Sequence, residues 1–410
     1  MRHDAPVSTP AHHPPILPPA TIGILGGGQL GRMLGIAARA MGYRIAILDP
    51  DPACPAAAIA DRVEVGGYGD VAAALRMAEG CAVITYELEH VDAALVDALA
   101  ARLPVRPGAL PLRVTQDRLA ERRFVEDAGV PVAPWRELRA GDAAGLAAAA
   151  RELGLPLRLK AVFGGYDGRS QIRVASEAEL AGAWAALGRP DGQPVLAEAE
   201  LAFADELSVV CARGADGSIL PFPPGRNRHD AGILVETLQP APVPPAVAEA
   251  AAGIAGRLAD AMALVGLLTV ELFRMPDDRL VVNELAPRVH NSGHATMDAA
   301  QTSQFEQQIR AVCGLPLGSP APLAPAAMVN LLGAGPRRPA RLLGVEAALA
   351  DPAVHLHLYD KREVVERRKM GHLTALGATT AEALERAHAA LSRLRWADDG
   401  DGLPPPGARP

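Results

Sequence analysis

Two acidic residues in a pair of apolar segments constrain the fold of this chain more than any other feature. Residues 267–273 read as an apolar strand with one acid, Glu271, and a second apolar segment contains Glu284. Asp277 and Asp278 lie between the two segments. A two-residue turn centred on these aspartates predicts a β-hairpin, and its register places Glu271 directly opposite Glu284.

Two carboxylates that face each other in a sheet repel, and burying them without a partner costs more free energy still. The pairing becomes favourable if Mg²⁺ or Mn²⁺ lies between Glu271 and Glu284, beside the phosphates of a substrate. The alternative is a pair of exposed acids on a surface hairpin. Strict alternation puts Asn283 on the opposite face, so Asn283 reaches the same site only through a bulge or a strand end.

Composition indicates a globular chain of several domains. Its 410 residues suffice for two or three hydrophobic cores. A net charge of −7 argues against a nucleic-acid partner, and no run of 18 apolar residues predicts a membrane span. The four cysteines are scattered without CxxC spacing, which is typical of reduced thiols in a cytoplasmic protein.

Strand and helix patterns predict an α/β fold with an α+β C-terminal part. Strands at 21–25, 44–48 and 81–85, with a helix at 29–41, indicate a Rossmann-like parallel sheet over residues 21–113. A charged helix at 116–128 opens a second domain, 114–320, and a small third domain follows at 326–396. We expect the Pro-rich lead-in, 1–20, and the Gly- and Pro-rich tail, 397–410, to be disordered.

Glycines at 26–31 follow the first strand in the GxGxxG spacing, and Asp49 ends the second strand. This pattern is typical of dinucleotide binding and supports an alternative function, an NAD-dependent oxidoreductase. The same turn also suits any ligand that places a phosphate or carboxylate at a helix N-terminus. No hydride-transfer residues are evident downstream.

Lys160 ends a strand that leads into a glycine-rich loop at 164–170. Such a loop can fold its N–H groups over a polyphosphate while the lysine contacts the phosphate oxygens, although an ordinary hairpin loop is the alternative. Acids at 198, 200 and 206 flank a linker between two later strands. They could accept hydrogen bonds from a ribose, or they could be exposed charges at strand ends.

Cationic and polar residues lie just beyond the proposed metal carboxylates: Arg288, His290, Asn291 and Ser292. They could hold a small anion against a γ-phosphate, and a structural role for His290 is the alternative. Two of the three lysines of the chain lie in the basic run 361–369. The run predicts either a solvated basic surface or an anion-binding pocket.

Six sequence blocks resemble, in the same order, the family of N5-carboxyaminoimidazole ribonucleotide synthases, which are ATP-grasp carboxylases of microbial purine biosynthesis. The resemblance covers about residues 21–395. The blocks are Gly-Gly-Gln-Leu-Gly-Arg-Met (27–33), Gln-Asp-Arg-Leu (116–119), Gly-Gly-Tyr-Asp-Gly-Arg (164–169), Glu-Leu-Ser-Val (206–209), Asn-Glu-Leu-Ala-Pro-Arg-Val-His-Asn-Ser-Gly-His (283–294) and Arg-Lys-Met-Gly-His (368–372).

The resemblance implies an ATP-grasp fold and an enzyme that uses ATP and bicarbonate. The expected reaction carboxylates 5-aminoimidazole ribonucleotide through carboxyphosphate, in the route to IMP. The close alternative is a sibling ATP-grasp ligase that activates formate or another carboxylate on a purine precursor. The resemblance also implies a homodimer and a possible functional coupling to the downstream mutase.

The resemblance further implies roles for individual residues. Glu271 and Glu284 would bind the metal, and the catalytic residues would be Glu87, Arg288, His290, Asn291 and Lys361. The ribonucleotide would contact Gly28, Gln29, Leu30, Tyr166, Arg169, Lys361 and Arg368. ATP would contact Arg118, Lys160, Gly165, Tyr166, Asp167, Gly168, Arg169, Ser170, Gln171, Glu198, Ala199, Glu200, Leu201, Glu206, His229, Asn283 and Glu284.

Overall fold

The computed structural model describes residues 14–164 and 170–398. The expected phosphate-loop residues Gly165, Tyr166, Asp167, Gly168 and Arg169 therefore lie outside the described residues. The same holds for residues 1–13 and 399–410, which form most of the two terminal segments that we expected to be disordered.

The first unit contains a parallel sheet, as the sequence predicted, and its four strands lie in the order β3-β2-β1-β4. The short strand β3 was not predicted, because its alternating charges give a weak apolar signal. The elements of the first unit are β1 (Thr21–Leu25), α1 (Gln29–Ala40), β2 (Arg44–Asp49), β3 (Arg62–Val65), α2 (Val71–Ala78), β4 (Cys81–Tyr86), α3 (Ala93–Ala100) and α4 (Ala109–Thr115).

The second unit is a small antiparallel sheet in the order β5-β8-β6-β7, and the long helix that precedes it is capped by Asp117. Two helices pack on this sheet around a separate apolar core. The elements are α5 (Arg118–Asp127), β5 (Trp135–Arg139), α6 (Ala143–Leu153), β6 (Leu157–Ala161), β7 (Gln171–Val174), α7 (Glu177–Leu187) and β8 (Pro194–Ala199).

The third unit contains the predicted acidic hairpin and most of a large sheet. Helix α8 packs on β9 and β13, and its apolar face closes a core against them. The elements are β9 (Asp205–Arg213), β10 (Ile219–Pro221), β11 (Gly225–Asp230), β12 (Ile233–Gln239), α8 (Pro245–Ala261), β13 (Gly266–Arg274), β14 (Leu280–Ala286), α9 (Thr296–Ala299) and α10 (Gln304–Val312).

The C-terminal strands continue that same sheet. Strand β15 pairs with β12, and the order β14-β13-β9-β11-β12-β15-β20-β18, with β10 beside β9, makes nine strands. The elements are β15 (Ala326–Leu332), β16 (Arg338–Pro339), β17 (Leu342–Leu343), α11 (Val345–Ala348), β18 (Val354–Leu358), β19 (Glu363–Val364), β20 (Lys369–Leu376), α12 (Thr380–Leu391) and β21 (Arg395–Trp396).

Parts of both terminal segments that we expected to be disordered are packed, which corrects that expectation. The N–H of Ile16 donates to the carbonyl oxygen of Cys313 at 2.8 Å, and the Tyr43 hydroxyl donates to the Ile16 carbonyl oxygen at 2.7 Å. At the other end, Ala397 is buried and its N–H donates to Arg341 O at 2.8 Å. The prediction of disorder rested on composition alone. Proline content does not show whether a segment has tertiary partners.

The first unit and the large sheet share one apolar core, which fixes their relative position. Met33 of α1 and Phe305 of α10 belong to this core together with Ile22 and Leu267 from the two sheets. Glu89, just beyond the carboxyl end of β4, pairs with Arg288, just beyond β14, so this end of the parallel sheet lies beside the segment that follows the acidic hairpin. Among the described residues, no helix is long and apolar enough to span a membrane.

Candidate active site

The predicted pairing of the two acids is confirmed, because Glu271 of β13 lies opposite Glu284 of β14. The turn itself differs from the prediction. It has three residues, Pro276 to Asp278, since the Met275 N–H donates to Arg279 O and Asp278 adopts a positive φ of 64°. A β-bulge then shifts the register between Glu271 and Leu272, and this compensates for the extra turn residue.

The bulge also decides the position of Asn283. It is the extra residue of β14, since Leu272 pairs with Val282 while Glu271 pairs with Glu284. The side-chain amide of Asn283 donates to Glu271 Oε2 at 3.4 Å. The side chains of Glu271, Asn283 and Glu284 thus lie on one side of the hairpin. The bulge is one of the two ways in which the sequence allowed Asn283 to join the site.

The electrostatics of the hairpin favour a bound cation. Burial and the neighbouring Glu284 together raise the pKa of Glu271 to about 7, while His229 opposes the shift. Glu284 is more open, with 47% of its side chain exposed, and Arg118 lies 4.0 Å from its carboxylate. Two carboxylates and an amide oxygen are hard donors of the kind that Mg²⁺ prefers, so the donor set fits this ion. No cluster of three His, Cys, Asp or Glu side chains suited to a metal occurs in the described ranges.

Lys160 is held by a buried carboxylate on β8, the neighbouring strand of the same small sheet. Its ammonium pairs with Glu198 Oε2, and Arg122 Nε donates to Glu198 Oε1 at 2.8 Å. Burial by itself would raise the pKa of Glu198, but Arg122 and Lys160 lower it to about 2. Both oxygens of Glu198 are therefore engaged within the protein.

The linker between β8 and β9 contains the other expected nucleotide contacts. Glu200 is paired with Arg173 at 2.9 Å and with Arg158 at 3.3 Å, and Ala199 and Leu201 are half-buried beside it. The Ala161 N–H donates to Ser170 O at 2.9 Å, which closes the base of the phosphate loop, and Gln171 pairs with Lys160 in the sheet.

Glu206 and His229 lie on adjacent strands of the large sheet. Their Oε2 and Nδ1 atoms are 2.6 Å apart. Burial lowers the pKa of His229, yet the Glu206 hydrogen bond and the nearby Glu271 raise it overall. The pair therefore extends the charged cluster of the hairpin toward the linker.

Arg288 and His290 follow β14 and lie beside the acidic pair. Arg288 pairs with Glu89. Burial alone would raise the pKa of Glu89, but the guanidinium of Arg288 lowers it to about 2. His290 Nε2 lies 3.7 Å from Glu271 Oε1. Burial and the adjacent Arg288 hold the pKa of His290 well below its usual value, so its imidazole is neutral at pH 7.

Asn291 is buried, and neither its amide nitrogen nor its amide oxygen has a hydrogen-bond partner among the described residues. A buried amide without partners is costly, and such groups cluster where a ligand completes the hydrogen bonding. The unpartnered amide lies one residue from His290 and three from Arg288. A planar anion that accepted from the amide nitrogen would supply one of the missing hydrogen bonds.

The glycine turn before α1 is occupied by the protein itself. The carboxylate of Glu87, at the end of β4, accepts from the N–H groups of Gly28 at 2.8 Å and Gly31 at 2.7 Å. Asp49 accepts from Gly27 N–H and from the Tyr68 hydroxyl, both at 2.8 Å. The N–H groups that would bind a dinucleotide phosphate and the acid that would bind its ribose, Asp49, are thus both engaged within the protein. This argues against the NAD-dependent alternative.

The residues expected to contact the ribonucleotide differ in their exposure and in their partners. Gln29 begins α1 and is half-buried, whereas Leu30 packs in the shared core with 8% exposure, so only its backbone remains available. Lys361 donates to Lys369 O at 2.6 Å and lines a cavity of about 210 Å³ together with Arg32, Asp360 and Trp396.

Arg368 differs from Lys361, because it is exposed and donates to Glu363 O at 3.2 Å.

Three domain families match the chain in the order of its units. The ribonucleotide synthetase preATP-grasp domain matches residues 19–116, the ATP-grasp domain matches 123–305, and the phosphoribosylaminoimidazole carboxylase C-terminal domain matches 326–386. The chain is 42% identical over 359 residues to the N5-carboxyaminoimidazole ribonucleotide synthase of Bacillus subtilis (strain 168), across 88% of this chain and 92% of that relative. The chain belongs to the N5-carboxyaminoimidazole ribonucleotide synthase family.

Solved structures of this synthase family share the fold. The synthetase of Thermus thermophilus superposes with a TM-score of 0.82 at 41% identity, across 91% of this chain and 98% of that one. The synthase of Aspergillus clavatus, in complex with ADP and 5-aminoimidazole ribonucleotide, superposes with a TM-score of 0.83 at 31% identity, across 91% and 99% of the two chains. The predicted ATP-grasp fold is therefore confirmed, and the chain is an ATP-grasp ligase.

Several residues of this synthase site were missed in the sequence. Glu89, Arg122 and Gln304 contact expected site residues and were not singled out, whereas Lys369, which contacts Lys361, was noted in the basic run without a role. Gln304 accepts from the His290 N–H at 2.9 Å and donates to the His290 carbonyl oxygen at 2.8 Å. Lys369 lies near enough to the cluster to lower the pKa of His290. The scarcity of lysine was a signal for Lys369, but no local pattern distinguishes the other three.

Proposed function

We propose that this protein carboxylates 5-aminoimidazole ribonucleotide to N5-carboxyaminoimidazole ribonucleotide, using ATP and bicarbonate. The observation that carries the proposal is the facing pair Glu271 and Glu284 together with the unpartnered amide of Asn291, in a chain of this family. The acids suit a metal–triphosphate, and the amide suits bicarbonate next to the γ-phosphate.

In the proposed first step, a bicarbonate oxygen attacks the γ-phosphorus of ATP. The bond between that phosphorus and the β,γ-bridging oxygen breaks, so ADP leaves and carboxyphosphate forms. Arg288 and the amide of Asn291 hold the bicarbonate oxygens, and the neutral His290 donates or accepts one hydrogen bond. Positioning and charge neutralisation supply most of the rate enhancement in such phosphoryl transfers.

In the second step, the exocyclic amine of the ribonucleotide forms a C–N bond with the carboxyl carbon. Inorganic phosphate leaves, with or without prior release of CO₂, and the amine loses one proton. We assign Glu87, at the end of β4, and Lys361, at the rim of the 210 Å³ cavity, to the ribonucleotide side of the site. Gly28, Gln29, Leu30 and Arg368, with Tyr166 and Arg169 of the phosphate loop, complete this proposed set.

We assign the nucleotide to the space between the small and the large sheet. Lys160 lies on one side, and Glu206, His229 and Asn283 lie on the other, with Arg118 near Glu284. ATP-grasp enzymes use ATP, typically with a divalent ion. We propose Mg²⁺, with Mn²⁺ as a substitute, held by Glu271 and Glu284, where it would neutralise charge on the phosphate oxygens.

Membership in this family also leads us to propose a homodimer in the cytoplasm and a functional coupling to the downstream mutase. These proposals rest on the family resemblance, and the site described above does not depend on them. Sedimentation of the purified protein would test the dimer directly.

An ADP-release assay with each substrate omitted in turn tests the proposed function. We expect ADP formation to require Mg-ATP, bicarbonate and 5-aminoimidazole ribonucleotide together, and formate not to replace bicarbonate. Release that depends on formate would favour the sibling ligase. ATP binding without ADP formation under all conditions would contradict an enzymatic role.

A further inference from the structure

Arg122 is a fully buried arginine that no sequence pattern singled out. Its guanidinium donates to three acceptors from three different elements. Nε donates to Glu198 Oε1 at 2.8 Å, Nη1 to Glu121 Oε2 at 3.2 Å and Nη2 to the carbonyl oxygen of Asn283 at 2.8 Å. Only the planar, five-donor guanidinium can serve such a divergent set of acceptors, which a lysine ammonium cannot reproduce.

Glu121, the neighbour of Arg122 in α5, completes the contact with β14. Its Oε1 accepts from the Leu285 N–H at 2.7 Å. The two side chains of α5 therefore bind the backbone on both sides of Glu284, at the carbonyl before it and at the N–H after it. Strand β14 is the edge of the large sheet, and its outward backbone groups need partners that a neighbouring strand does not supply here.

The other end of this network lies on the small sheet. Glu198 accepts from Arg122 with one oxygen and pairs with Lys160 through the other. A chain of contacts therefore runs from the backbone of Glu284, through Arg122 and Glu198, to the ammonium of Lys160. These are the two sides of the proposed nucleotide space, and α5 is the element that joins them.

We infer that Arg122, together with Glu121, is a positioning residue that sets the distance between the metal carboxylate Glu284 and the phosphate-binding Lys160. This inference rests on the proposed function. It deepens that function by assigning the alignment of the metal–triphosphate to a pair of side chains that do not contact substrate. Replacing the guanidinium by a smaller cation would keep the buried charge but lose the simultaneous contacts to both sheets.

The test compares Arg122→Lys with Arg123→Lys. Arg123 is the adjacent residue of the same helix, but it is exposed and pairs with Glu137 at the surface. For Arg122→Lys we expect the KM for ATP and the activation constant for Mg²⁺ to rise about tenfold and kcat to fall about 10- to 100-fold. The KM for the ribonucleotide should stay within about twofold, and Arg123→Lys should change none of these constants.

A purely structural role for Arg122 predicts a different result. Arg122→Lys would then lower the melting temperature and the folded fraction, while kcat per folded molecule and both KM values stay at wild-type levels. That outcome would overturn the inference. If Arg122→Lys does not fold, Glu121→Gln keeps a carbonyl acceptor for the Leu285 N–H and loses only the ion pair, and the same comparison applies to it.

Calorimetric titration with Mg-ATP separates this inference from the proposed function, because it needs neither bicarbonate nor ribonucleotide. Weaker Mg-ATP binding by Arg122→Lys would support the positioning role even if the wild type lacked carboxylation activity. In the Glu284→Gln background, Arg122→Lys should weaken binding less than it does in the wild type. Full additivity of the two changes would show that Arg122 does not act through Glu284.

Discussion

At the scale of the residue, Glu284 is the most direct test of the proposed metal site. Glu284→Gln keeps the shape of the side chain and removes its charge, so we expect kcat to fall at least about 100-fold, equivalent to roughly 3 kcal/mol of transition-state stabilisation. The melting temperature should change little, because the side chain is half exposed. Asp277→Asn in the exposed turn of the same hairpin is the matched control. Near-normal activity with unchanged Mg²⁺ dependence would remove Glu284 from the site.

Lys361 tests the ribonucleotide side at the same scale. We expect Lys361→Ala to raise the KM for 5-aminoimidazole ribonucleotide about tenfold and to leave the KM for ATP unchanged, since a lysine–phosphate contact is worth about 1–2 kcal/mol. Arg362→Ala is the control, because Arg362 forms only an exposed ion pair with Asp51. Steady-state kinetics with each substrate varied in turn would measure both constants. A rise in the KM for ATP alone would move Lys361 to the nucleotide.

At the scale of the element, His372 of β20 stacks between His357 of β18 and His294. The ring centroids of His357 and His372 are 4.6 Å apart, and those of His294 and His372 are 4.7 Å apart. His372 is fully buried and its Nδ1 lies 2.8 Å from the Tyr359 hydroxyl. Burial, with the two adjacent histidines, holds the pKa of His372 well below that of a free imidazole.

This shift predicts a pH dependence of stability that a matched variant isolates. Below about pH 6.5 the unfolded chain protonates this histidine and the folded protein does not, so His372 lowers the free energy of unfolding as pH falls, by up to about 1.4 kcal/mol per pH unit. His372→Gln retains a hydrogen-bonding group for Tyr359. We expect the stability advantage of the wild type over this variant to shrink between pH 7.5 and 5.5. Denaturant unfolding would measure it, and a constant difference would contradict the assigned charge state.

At the scale of the whole molecule, the proposed nucleotide space is enclosed by two sheets. They are joined by α5, by the linker and by the hydrogen bond from the Val282 N–H to Pro131 O at 2.9 Å. A ligand that contacts both sheets stabilises the folded state by mass action, by about 2.7 kcal/mol at a concentration of 100 times Kd. We therefore expect Mg-ATP to raise the melting temperature by several degrees, and ATP with a chelator to raise it less. NADH should give no shift, because Glu87 and Asp49 occupy the glycine turn. A shift with NADH and none with Mg-ATP would reverse the assignment.

The sequence predicted the elements that carry strong periodic signals. The parallel strands β1, β2 and β4, helix α1 and the acidic hairpin all have continuous apolar patterns, and the structure places them as expected. The three-residue turn of the hairpin was not predicted, and a bulge was expected only as one of two ways for Asn283 to join the site. The turn and the bulge each shift the register by one residue, and the two shifts cancel at Glu271. The predicted pairing was therefore right although the assumed turn was wrong.

The sequence by itself determined which chemistry this chain can carry out. Acids in apolar strands, a lysine before a glycine-rich loop and an Arg-Val-His-Asn segment have few structural explanations, because burying unpaired charge is costly. Only the tertiary structure decided which of those charges are free to meet a substrate. Glu87 accepts from two backbone N–H groups of the glycine turn, and Glu198 pairs with Arg122 and Lys160. These partners are 38 to 76 residues away in the sequence. Contacts over such distances follow from how the sheets pack, and local sequence patterns do not record them.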